Sequence, residues 1–131
     1  HLFRMNIDEF REYCLTKPET TEEFPFDNHT LVFKVVGKIF ALTSLTSREK
    51  GASSITLKCD PQKAKLLREQ YPEDVFPGYH TNKKHWNSLN TEQSALSDSY
   101  IRYLIDHSYE LVVNKLPKAK KDFINGKQEK E

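Results

Sequence analysis

Tyr79, His80, Asn82, Lys83, Lys84, His85 and Trp86 lie close together in the chain with no acid among them. That mixture suits an anionic ligand that carries flat rings. Ammonium groups neutralise phosphates, while tryptophan, tyrosine and histidine stack on bases or hydrogen-bond to them. A structural reading competes with it. There, Trp86 and Tyr79 are packing anchors, one lysine caps a helix or pairs with an acid, and the rest is a solvated loop. A single tryptophan in a domain this small is more often core. Tyr79 and Trp86 are therefore assigned to packing first, and His80, Lys83 and Lys84 are the side chains to test as ligand contacts. Lys58 is out of phase with Leu57 on an alternating strand. It joins the same patch if the strand carrying His85 runs beside it. Lys34 and Lys38 read as exposed hairpin charges.

Other constellations are weaker. His107-Ser108-Tyr109 invites a nucleophile-and-base reading, but neighbours one residue apart on a helix diverge. Ser108 instead falls on an inner helical face, and Tyr109 reads as an anchor through its ring and hydroxyl. Asp8, Glu9, Glu12, Glu19, Glu22, Glu23 and Asp27 face only Arg11 and Lys17 in the same stretch. Clustered carboxylates attract hard cations, yet helices are routinely acidic in their first turn, so a solvated acidic face is the favoured reading. The four glycines are not grouped into a phosphate-cradling loop. No enzyme activity, cofactor or metal is expected.

The elements that position these residues follow from local patterns. Asn6 with Glu9 three residues on is a capping box, and Ile7, Phe10 and Cys14 share the face of a helix that ends near Thr16, before Pro18. Glu23-Phe24-Pro25-Phe26 reads as an edge strand. Thr30 to Val36 and Lys38 to Thr43 read as a hairpin turning at Gly37-Lys38, and Ser54 to Cys59 as a further strand. Asp60-Pro61 starts a helix that Pro72 ends. Val75 to Tyr79 reads as a turn-bearing connector and His85 to Leu89 as a strand. Ser97 or Asp98 caps the longest helix, whose inner face is traced by Ile101, Leu104, Ile105, Ser108, Leu111, Val112 and Lys115.

The chain of 131 residues holds one core, not two. Residues 1–4 precede Met5 and fit no local pattern, so Met5 is expected to be the natural start, with a single domain over residues 5–117. Residues 118–131 read as a polar, lysine-rich tail, expected to fray beyond Phe123. No run is long and apolar enough for a membrane span, and a cytoplasmic location is expected. Cys14 and Cys59 read as reduced, partly buried thiols rather than a disulfide or zinc pair. The formal charge of +1 argues against strong nucleic-acid binding, although an uneven distribution polarises the surface. The expected class is α+β, an antiparallel sheet with helices packed mainly on one face.

A succession of motifs narrows this further. It runs through Glu23-Phe24-Pro25-Phe26, Leu31-Val32-Phe33-Lys34-Val35, Gly37-Lys38-Ile39-Phe40-Ala41, Leu57-Lys58-Cys59-Asp60-Pro61, Pro77-Gly78-Tyr79-His80, Asn82-Lys83-Lys84-His85-Trp86-Asn87 and Asp106-His107-Ser108-Tyr109-Glu110-Leu111-Val112. In that order, from Met5 to about Pro117, it resembles the MmcQ/YjbR family of small bacterial proteins. The resemblance implies a compact CyaY-like fold, a double-wing arrangement and the DNA-binding label commonly given to that family. It supplies no catalytic residues. The loop from Thr46 to Ser53 matches no fixed family motif, which leaves its role as a wing open. Two functions are carried forward: weak, salt-dependent DNA binding around residues 79–86 with Lys58, or a protein-interaction or small-ligand module without nucleic acid. Monomer and homodimer both remain open.

Overall fold

The computed structural model describes residues 3–46, 53–78 and 81–129. Helix α1 (Ile7–Leu15) starts with the capping box read from the sequence. Asn6 Oδ1 accepts the Glu9 N–H at 2.9 Å, and Glu9 Oε1 accepts the Asn6 N–H at 3.2 Å. Strand β2 (Thr20–Glu23) follows. The edge strand therefore lies upstream of the Glu23–Phe26 segment that was expected to form it, leaving Pro25, which lacks a donor, outside the ladder.

Strands β3 (Thr30–Val35) and β4 (Lys38–Ser44) form the expected hairpin. Its two-residue turn is Val36-Gly37, with φ of 46° and 83°. Two positive φ values give the twist that lets such a short connection join antiparallel strands, which moves the turn one residue earlier than expected. Strand β5 (Ser54–Lys58) leads to helix α2 (Pro61–Gln70), where the Asp60 carboxylate accepts the Gln62 and Lys63 N–H groups at 3.2 Å.

Val75–Pro77 is a strand, β6, not a connector. It sits at the other sheet edge, where a terminal proline is tolerated. Strand β7 (Trp86–Asn90) and the short β8 (Glu92–Ser94) precede helix α3 (Asp98–Asn114), which Ser97 caps.

The main sheet has the order β2-β3-β4-β5-β7-β6, and every neighbouring pair is antiparallel. Register puts Phe33, Ala41, Leu57 and Asn87 in one row across four strands. The helices cover this face. Phe10 of α1 meets Phe33 edge-on at 5.4 Å, Asn87 Nδ2 donates to the Ala64 carbonyl of α2 at 3.2 Å, and Tyr109 of α3 meets Phe40 edge-on at 5.3 Å. The Tyr109 hydroxyl also donates to the Pro18 carbonyl at 2.7 Å, pinning α3 to the α1–β2 connection. The chain is thus an α+β domain with its core between the sheet and these helices.

Two chain ends differ from expectation. Phe3–Arg4, read as outside the local pattern, forms strand β1 against β8, and Arg4 pairs with Glu92 at 2.6 Å. The lysine-rich tail carries helix α4 (Lys118–Glu129). Pro117 opens that helix as well as following α3, because its carbonyl accepts the Lys120 and Lys121 N–H groups. Leu116 and Ile124 are both buried and supply the apolar anchors that a tail of this composition hides. Residues 47–52 of the Thr46–Ser53 loop, considered above as a wing, lie outside the described residues.

Candidate functional site

Among the described residues, strands β4 and β5 are paired at Ala41↔Leu57 and Leu42↔Thr56. Continuing that register would face Phe40 with Lys58. Ser108, reaching in from α3, stands there instead. Its Oγ donates to the Phe40 carbonyl at 2.5 Å and accepts the Lys58 N–H at 2.9 Å. One hydroxyl thus takes the place of a ladder rung, and direct pairing stops. Beyond this point β5 stays with β7, where Lys58 faces Trp86 across the strands. Ile39 and Lys38 belong to the hairpin on the other side.

A groove of about 580 Å³ opens between these two arms. Lys34, Lys38, Lys58 and Lys115 stand in its walls. Trp86 and Phe26 supply aromatic surface, and Ile39, Val112 and Leu116 an apolar lining. Lys34 pairs with Glu23 at 3.3 Å. No ion pair to Lys38, Lys58 or Lys115 occurs among the described residues. Burial, with the positive charge of Lys115 added to it, pulls the Lys58 ammonium below its ordinary lysine pKa. The fold therefore keeps like charges together where neither supports the other, an arrangement that an incoming anion would relieve.

The sequence-derived patch is divided by this geometry. Lys58 and Trp86 line the groove. Asn82, Lys83, Lys84 and His85 form a turn that does not contribute to its lining. Asn82 Oδ1 accepts the Lys84 N–H at 3.0 Å, and the Lys83 carbonyl accepts from Arg68 of α2 at 3.2 Å. Lys83 Nζ turns back to the Gly78 carbonyl at 3.4 Å. The His85 carbonyl accepts the Cys59 N–H at 2.8 Å. Gly78 is needed where it is, since a Cβ there would stand 2.8 Å from that of Trp86. Tyr79 and His80 lie outside the described residues.

Sequence reasoning passed over Lys34, Lys38 and Phe26 as groove residues, and assigned Lys115 to the inner face of its helix. The only local signal was the phase of Lys34, which alternates against Phe33 just as Lys58 alternates against Leu57.

Several of the other candidates have structural roles. Glu22 holds Arg11 at 2.5 and 2.6 Å, and Asp27 caps the loop after β2 by accepting the His29 and Thr30 N–H groups at 2.7 Å. Cys14 and Cys59 are unpaired and buried, and burial pushes the Cys59 thiol up to about 11 and the Cys14 thiol well above its ordinary range. His107 has a backbone partner of its own, its Nε2 accepting the Asp60 N–H at 3.2 Å.

That bond needs a neutral imidazole. Burial first, then the charge of Lys63, hold the His107 pKa below its ordinary value, against the opposing pull of Asp60 and Glu110. The unfolded chain then takes up a proton that the folded one resists. Stability is full above the unfolded value of about 6.5 and declines as pH falls below it. Melting temperature is expected to drop between neutral pH and about pH 5, and His107→Gln, which keeps an acceptor but cannot titrate, should flatten part of that drop. Parallel pH profiles for the two proteins would remove His107 as the cause.

The model of the YjbR family matches residues 15–111, from the end of α1 into α3. The chain belongs to the YjbR family. YjbR of Escherichia coli K12 is 36% identical over 120 residues, covering 92% of this chain and 98% of that one. YbdF of Escherichia coli O157:H7 is 44% identical over 95 residues, covering 72% and 74%. The crystal structure of Deinococcus radiodurans protein DR2400, a DUF419 domain, superposes with a TM-score of 0.82 at 35% identity, covering 92% of this chain and 88% of that one. The matched span of the YjbR domain contains the Lys34–Lys38 hairpin, Lys58, Trp86 and Ser108, whereas Lys115 and Leu116 lie just past it. No described helix is long and apolar enough to cross a membrane.

Proposed function

We propose that this YjbR domain is a non-catalytic binding module of the bacterial cytoplasm whose groove takes nucleic acid as a single strand. One observation carries the reading: four lysines and two aromatic rings line the same groove. Lysines meet phosphates as point charges, and a tryptophan face accepts any unstacked base. A groove of about 580 Å³ admits a single strand more readily than a duplex, whose bases are stacked away from side chains. The formal charge of +1 fits weak, salt-dependent binding. Unpaired, buried Cys14 and Cys59 fit a reducing compartment.

A small-ligand module is the second reading, favoured by a groove volume within the range of about 300–1,000 Å³ usual for small-molecule sites. Fluorescence anisotropy with labelled single-stranded and duplex DNA tests the first. Single strands are expected to bind more tightly than duplex, with affinity falling as salt rises. No binding of either probe at low salt overturns the nucleic-acid reading.

A further inference from the structure

The two kinds of wall in the groove point to one kind of ligand, on the premise that the groove is the ligand site. Its charges are not interchangeable. Lys34 is answered by Glu23 at 3.3 Å, whereas Lys58 and Lys115 have no ion-pair partner among the described residues and repel one another. An anion settling there would gain charge-assisted contacts while relieving that repulsion.

The rest of the lining is of no use to a bare phosphate. Trp86 is half-buried beside Lys58, its cross-strand neighbour. Phe26 is 68% exposed, the most exposed of the large apolar side chains among the described residues. The loop just after it is braced: Asp27 accepts the His29 and Thr30 N–H groups at 2.7 Å. A phenylalanine held in water beside a braced loop at the rim of a groove offers apolar area that a flat ligand would cover. Ile39, Val112 and Leu116 extend that apolar surface inward.

We infer that the groove recognises a phosphorylated planar ring, one nucleotide unit either free or within a strand, with its phosphate between Lys58 and Lys115 and its ring against Trp86 and Phe26. The volume of about 580 Å³ suits a ligand of that size. Base stacking on an aromatic side chain is worth about 1–3 kcal/mol, so the ring should raise affinity by roughly five- to 150-fold over the sugar phosphate alone.

Trp86 is the sole tryptophan and reports the site directly. The full chain would be titrated with adenosine monophosphate, ribose 5-phosphate, inorganic phosphate and a short single-stranded DNA, following tryptophan fluorescence. Adenosine monophosphate is expected to bind at least about fivefold more tightly than ribose 5-phosphate. Phe26→Ala, a change at an exposed ring that leaves the core intact, should bring the first down toward the second while leaving ribose 5-phosphate unchanged. Lys58→Met should weaken both. Equal affinities for the two phosphates, or an adenosine monophosphate affinity untouched by Phe26→Ala, overturns the inference. If the DNA quenches Trp86 and adenosine monophosphate does not bind, the single-unit reading falls while the groove stands. If no probe perturbs Trp86, both fall.

Discussion

Replacing Lys58 by methionine and Lys115 by alanine in one chain is expected to weaken single-stranded DNA binding at low salt by about tenfold or more. The double variant should also flatten the salt dependence. Each phosphate contact on a single strand contributes about 0.7 to the slope of log affinity against log salt, so losing two should reduce it by roughly 1.4. The choice of pair follows from the groove. Lys34 already has Glu23 at 3.3 Å and has less charge to offer, so Lys34→Ala should cost less. Lys83 and Lys84 belong to the 82–85 turn and do not line the groove, so their joint replacement by alanine should change affinity by less than the Lys58 and Lys115 pair does. Equal losses from the two double variants would show that net charge, not the groove, controls binding.

The stability of the same variant separates a binding role from a structural one. Lys58 is held against both burial and the Lys115 charge, so it works against the fold at neutral pH. Lys115 follows α3 and answers the negative end of its dipole, a contribution of about 0.3–1 kcal/mol. The two effects oppose each other. Chemical denaturation should therefore find the double variant within about 1 kcal/mol of the parent, while its DNA affinity has collapsed.

What the sequence made legible was local. The Asn6 and Glu9 capping box, the Asp60-Pro61 helix start and the alternation of Leu31, Phe33 and Val35 each express a period or an end-group rule within a few residues. The groove has no such signature. It joins the loop after β2, the β3–β4 hairpin, the end of β5, the start of β7 and the end of α3. Cross-strand register sets Lys58 against Trp86, and register depends on which strands are neighbours. The cationic run at residues 82–85 drew attention because it is contiguous, yet a tight turn held by Asn82 and Arg68 carries its backbone elsewhere. Helix α4 was hidden for the opposite reason: composition averaged Ile124 away, though one buried side chain among lysines is enough to dock a helical turn.

Ser108 unites the fold and the groove, and its replacement by alanine is expected to cost about 2–4 kcal/mol of stability. The side chain is fully buried, and its hydroxyl serves two backbone groups on different strands, the Phe40 carbonyl and the Lys58 N–H. Its inward position was readable from helical spacing, which says nothing of what its hydroxyl bonds to. The hydroxyl does more, because it ends the β4–β5 ladder one rung early. In Ser108→Ala the Cβ remains between the strands and keeps them from zipping together, so both backbone groups lose their partner, the Phe40 carbonyl in a buried position and the Lys58 N–H in a part-buried one. Ordinary serine-to-alanine changes at exposed sites cost within about 0.5 kcal/mol, which makes the contrast measurable by urea denaturation. The groove should respond too. With nothing to hold the Lys58 backbone at its present distance from Phe40, the arm bearing Lys58 and Trp86 is released from the hairpin arm, and Trp86 emission should shift even without ligand. A stability loss no greater than that of an exposed serine, with unchanged Trp86 emission, would mean that the strands part for some other reason and that the hydroxyl merely fills the gap.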